Sequence, residues 1–131
     1  MATRERPLSP FMIGPYYRPQ LTSVLSILHR AAGVVLAGGV LLVVGWLLAL
    51  AFDPEAYASL AAALASLPGK AVLMLLTAAL VYHFFNGLRH LFWDAGLGYD
   101  IPTAYRSGYA VIALTIAFTL LLWWIGLGAA R

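Results

Sequence analysis

The sequence predicts an all-α membrane protein, with three transmembrane helices and one short interfacial helix between the first two. Three observations predict it. Charged residues make up only 10% of the 131 positions against 63% hydrophobic, and mean hydropathy is +0.88. A soluble domain carries about 25% charged residues to cover its water-facing surface, so this chain needs lipid over much of its own. Three long stretches hold no Asp, Glu, Lys or Arg, and the arginines crowd to one side of them. The length allows one domain.

Residues 1–22 read as an N-terminal arm. It holds Arg4, Arg6, Arg18 and four prolines. It has no apolar run and no small-residue cleavage site, so it is not a signal peptide, and its prolines favour an extended path. The transmembrane domain is expected over 23–131. Its first uncharged stretch runs from Ala31 to Phe52, and the span is set at 23–52. The second runs from Ala71 to Leu88 and is only 18 residues long, short of the roughly 20 needed to cross about 30 Å of hydrocarbon. It reaches that length by continuing through His90 to Trp93, giving a span at 69–93. The third runs from Ser107 to Ala130, with a span at 106–129. Barrel strands would be shorter and would alternate. Between the first two spans, Asp53 can cap a helix and Pro54 suits its first position, with Pro68-Gly69 expected to end it. That segment is alanine-rich and too short to span.

Orientation follows from the basic residues. The N-terminus and the second loop share a side that holds Arg4, Arg6, Arg18, Arg30, Arg89 and Arg106; Lys70 and Arg131 lie on the other, with Asp53 and Glu55. Positively charged loops stay inside. The N-terminus is therefore expected in the cytoplasm and the C-terminus in the periplasm of a bacterial inner membrane. A net charge of +3 without a Lys/Arg cluster argues against nucleic acid, which needs basic residues concentrated on one face. With no cysteine, the chain cannot itself hold an iron–sulfur cluster or attach haem through thioether bonds.

The chemistry concentrates in the histidines, because polar groups in lipid are costly unless used or paired. From His83 to His90 the helix turns through about 700°, so both face nearly one way. Gly87 lies about 40° from His83 and Asp94 about 20° from it. This stripe admits two readings. His83 is an axial ligand for haem iron, with Gly87 leaving room for a flat macrocycle and His90 at propionate depth, or it is a hydrogen-bond partner between helices. Arg89 points away from the stripe, towards interfacial anchoring or pairing. On the first span, Ser26 and Arg30 are one turn apart and face together, beside His29. They could donate hydrogen bonds to a quinone oxygen, or serve as a packing residue and a membrane-edge anchor. An N-in first helix and a returning second helix bring both groups to the inner interface, where a soluble electron donor would dock.

Two segments carry a family resemblance. Arg18-Pro19-Gln20-Leu21-Thr22-Ser23-Val24-Leu25-Ser26-Ile27-Leu28-His29-Arg30 resembles the first signature of the succinate dehydrogenase cytochrome b556 subunits. His83-Phe84-Phe85-Asn86-Gly87-Leu88-Arg89-His90-Leu91-Phe92-Trp93-Asp94-Ala95-Gly96 resembles the second, and Arg6-Pro7-Leu8-Ser9-Pro10 also fits. The resemblance implies a bundle shared with a second membrane-anchor subunit. It implies haem b ligated by His83, with the other axial histidine from that partner and with His29, Arg30 and His90 near the propionates. It places ubiquinone against Ser26 and Arg30, with Asp94 a weaker candidate. It also implies a flavoprotein subunit and an iron–sulfur subunit that hold the FAD and the clusters, so that this chain alone would not oxidise succinate. Two positions depart from the family pattern: Phe11 stands where a histidine is frequent, and Ala32 where a small hydroxyl residue is usual. A fumarate reductase anchor, a structural anchor without haem and a small transporter component are the rival readings. The in-register histidines weigh against the last two.

Overall fold

The computed structural model describes residues 19–129. The arm expected over 1–22 lies almost wholly outside them, as do Arg4, Arg6, Phe11, Arg18 and Arg131. Four helices form: α1 Leu21–Phe52, α2 Pro54–Ala65, α3 Leu67–Asp94 and α4 Ile101–Ala129. The first, third and fourth are long and apolar enough to cross a membrane. At 32 residues, α1 is about 48 Å long. It must tilt or project beyond a hydrocarbon core of about 30 Å.

The short helix α2 starts as its sequence indicates. The Asp53 carboxylate accepts a hydrogen bond from the Ala56 N–H at 3.0 Å, and Pro54 occupies the first turn, where no N–H is needed. The Trp46 and Tyr57 rings, 5.9 Å apart, hold α2 against α1. Pro68 and Gly69 do not end α2. They sit in the first turn of α3, capped by Ser66, whose hydroxyl accepts from the Gly69 N–H at 3.2 Å. A proline in a first turn starts a helix as readily as one beyond a last turn stops it. Gly69 is required by a close crossing, since a Cβ there would run into the Ala63 carbonyl and the Leu64 backbone. Gly69→Ala is expected to cost about 1–3 kcal/mol, read as a lowered unfolding midpoint in detergent.

The α3–α4 turn is tightly specified. Gly96, at φ 80°, takes the left-handed conformation that closes α3. The Leu97 N–H bonds to Phe92 O at 2.9 Å and the Gly96 N–H to Trp93 O at 2.8 Å, which satisfies two terminal carbonyls. α4 begins at Ile101, five residues before the span expected from the uncharged stretch, because Asp100 caps it by accepting from the Thr103 N–H at 2.9 Å. Hydrogen bonding by Thr103 holds the Asp100 carboxyl below the usual carboxylate range. The cap is therefore complete at neutral pH and is lost as pH falls through that lowered value.

Within the bundle, α3 lies between α1 and α4, which touch each other less extensively. Where α1 and α4 do meet, Gly108 leaves room for Leu21 and Leu25; a Cβ would stand 3.0 Å from either side chain. The buried residues are mostly small, as in membrane bundles where backbones approach closely. They include Leu25 and Ala32 of α1, Ala79 and Val81 of α3, and Ala104 and Val111 of α4. They lie in the first half of α1, the middle of α3 and the first half of α4. Val34, Leu41, Leu48, Leu120 and Trp124 face outwards along the remaining length, and lipid is the natural cover for such a surface.

Candidate functional site

The three histidines singled out by the sequence meet where α1 crosses α3. His29 of α1 stacks on His83 of α3, with ring centroids 3.9 Å apart and planes 8° from parallel. His29 also lies 5.0 Å from the ring of His90. The two helices interlock through glycines. A Cβ on Gly33 would stand 3.4 Å from the His83 ring, and one on Gly87 would stand 3.8 Å from His29. Beside Gly87, where room for a macrocycle is expected, the His29 ring lies at van der Waals distance. Each helix offers its glycine to the other's histidine.

The hydrogen bonds set two of the three rings. His83 Nδ1 lies 3.2 Å from the His29 carbonyl oxygen, and His90 Nδ1 lies 2.7 Å from the Asn86 carbonyl oxygen. A carbonyl oxygen only accepts, so Nδ1 carries the proton in both rings. In the neutral imidazole that leaves Nε2 as a bare lone pair, the arrangement that outer hydrogen bonds impose on ligating histidines. His29 Nδ1 is buried without a hydrogen-bond partner among the described residues. Among the described residues no three histidine or carboxylate side chains converge on a bare metal ion. The site offers single imidazole nitrogens, and these fit an iron whose equatorial positions a porphyrin supplies.

Ser26 is half-buried on α1, and Arg30, one turn on, is exposed at the same end. Asp94 is exposed as the last residue of α3, one turn beyond His90. Arg89, counted above among the side-determining basic residues, is only 5% exposed. It is enclosed between α3 and α4: Nε donates to Ser107 Oγ at 2.9 Å, Nη2 donates to Ala104 O at 2.9 Å, and the guanidinium lies 3.9 Å from the Trp93 ring centroid. Facing away from the histidine stripe turns it into the neighbouring helix, so it pairs rather than anchors.

Two further residues position the site. The Tyr82 hydroxyl donates to Leu25 O at 2.6 Å, and Asn86, fully buried, approaches the same oxygen at 3.5 Å. Together they hold the turn of α1 that carries Ser26 and His29. Asn86 stood within the second signature without a role, because an amide among apolar residues gives no spacing signal of its own. Tyr82→Phe is expected to cost about 1 kcal/mol, seen as a lower unfolding midpoint with helix content unchanged.

The sequence has known relatives. The family model for the succinate dehydrogenase/fumarate reductase transmembrane subunit matches residues 2–122. The chain belongs to this family. It is 41% identical over 119 residues to the succinate dehydrogenase cytochrome b556 subunit of Rickettsia bellii (strain RML369-C), covering 91% of each chain. It is 39% identical over 116 residues to the cytochrome b556 subunit of Paracoccus denitrificans, covering 88% of each. It is 39% identical over 113 residues to the mitochondrial cytochrome b560 subunit of Homo sapiens, covering 85% of this chain and 66% of the human one. As a member of the family with three long apolar helices, the chain is a multi-pass membrane protein.

Proposed function

We propose that this chain is the cytochrome b anchor subunit of a succinate dehydrogenase, and that it binds haem b and forms part of the site where ubiquinone is reduced. The observation that carries the reading is His83, an imidazole within an apolar helix whose proton is committed at Nδ1 to the His29 carbonyl and whose Nε2 makes no hydrogen bond among the described residues. The relatives' names, cytochrome b556 and cytochrome b560, support it.

His83 would hold the haem iron from this chain, and a second membrane subunit would supply the other histidine. His90 and His29 face the same crossing, and Arg30 brings a permanent positive charge suited to a propionate. The bound haem supplies one-electron redox chemistry. Ser26 and Arg30 donate hydrogen bonds to a quinone oxygen, which stabilises the charge that accumulates there as electrons arrive. Asp94 is the weaker candidate at that site. A flavoprotein subunit and an iron–sulfur subunit deliver the electrons, so the chain alone does not oxidise succinate. The arm, with Arg30 and Arg106, lies on the cytoplasmic side of a bacterial inner membrane, where those subunits dock.

Fumarate reduction is the second reading, since the family model spans both activities; the relatives cited above are named for succinate dehydrogenase. Purification of the chain from its own membrane in mild detergent tests the proposal. Flavin, non-haem iron and a b-type absorption are expected to travel with it. An intact preparation that carries neither flavin nor haem would overturn the reading.

A further inference from the structure

On the face of α3 turned away from the histidines, α3 and α4 enclose a groove of about 540 Å³, within the range of ligand sites. One end is polar, with Arg89, Trp93, Thr103 and Ser107; the other is apolar, with Phe85 and Leu114. From Thr103 to Leu114 the groove follows α4 for about 16 Å. An amphiphile that places its head at the end of α3 and its tail towards the middle of the bundle would match that order of residues.

Arg89 indicates the kind of head. The guanidinium is nearly fully buried, and two of its nitrogens are occupied by Ser107 and the Ala104 carbonyl. The third, Nη1, is buried and has no hydrogen-bond partner among the described residues. Among the described residues its neighbours are neutral: a serine, a carbonyl, the Trp93 ring and Tyr82, with no carboxylate. A buried cation without a counter-charge is costly, and an anionic oxygen removes that cost with a charge-assisted hydrogen bond. Position agrees. Arg89 is five residues from the end of α3, about 7 Å along the axis, next to the stacked Trp93 and Tyr99 rings. Aromatic side chains of this kind settle at headgroup level.

We propose that this groove binds one anionic membrane phospholipid, with the phosphate on Arg89 and an acyl chain along Phe85, Val111 and Leu114. The site is distinct from the α1–α3 crossing and does not depend on haem or quinone binding there. It would act as a structural lipid seat that neutralises Arg89 and fills the α3–α4 groove.

The test uses the protein purified from its membrane with its co-purifying subunits, stripped of lipid by detergent exchange. It is then titrated with phosphatidylglycerol or phosphatidylcholine of identical acyl chains, and bound lipid is counted by native mass spectrometry. One tightly held phosphatidylglycerol is expected, retained in preference to phosphatidylcholine. Arg89→Gln is expected to weaken it by at least about tenfold. Ala110→Phe, which puts a bulky side chain into the groove from its α4 wall, is expected to weaken both lipids. If Arg89→Gln fails to accumulate, Ala110→Phe alone decides. Phosphatidylglycerol retained equally by wild type and Ala110→Phe would overturn the proposal. So would equal retention of the two lipids by the wild type, displacement by inorganic phosphate at matched concentration, or a partner helix cross-linked into the groove.

Discussion

His83→Ala and His83→Asn are both expected to abolish the b-type spectrum of the purified protein. The pair separates the two roles open to an intramembrane histidine. His83 donates through Nδ1 to the His29 carbonyl, and a side-chain amide of asparagine can make a comparable donation. What neither variant offers is Nε2, the nitrogen that would hold iron. Loss of the spectrum in both, with the subunits still co-purifying, is the outcome for an axial ligand. A normal spectrum in the asparagine variant would mean that His83 only joins helices, and haem would then have to be held elsewhere. The alanine variant keeps a strong helix former in α3, so the helix itself should persist.

Arg30→Ala is expected to lower succinate-driven quinone reduction by about 10- to 100-fold, the range for losing a charge-assisted hydrogen bond. Succinate oxidation with an artificial acceptor that bypasses the membrane should change less than about twofold. The contrast is informative because Arg30 is exposed, and removing an exposed side chain generally changes stability by less than about 0.5 kcal/mol. Arg89 would make a poor probe of the same question, since it is buried between two helices. Arg30→Lys keeps the charge and loses the planar fork, so it should fall between the two. Equal loss with both acceptors would move Arg30 from the quinone site to assembly.

The elements that depend on composition were legible before any coordinates. Three uncharged stretches, an Asp53-Pro54 start for α2 and the registration of His83 with His90 all follow from hydropathy, capping and the helical period. What was not legible depends on neighbouring helices. Charge counting treats Arg89 as a membrane-edge residue, yet Ser107 and the Ala104 carbonyl lie within its reach only because α4 packs beside α3. Gly87 reads as a space for a cofactor until α1 brings His29 against it. Pro68-Gly69 reads equally as a stop or a start, and Ser66 settles it through a hydrogen bond that spacing alone does not assign. The early start of α4 came from Asp100, a polar cap that a search for uncharged residues passes over.

The most direct measurement of the central claim is succinate-driven reduction of a ubiquinone analogue by the complex that co-purifies with this chain in mild detergent. Quinone-dependent turnover, sharply reduced in Arg30→Ala while succinate oxidation with an artificial acceptor persists, is the predicted result. A verified intact assembly that oxidises succinate with the artificial acceptor but passes no electrons to the quinone would contradict it.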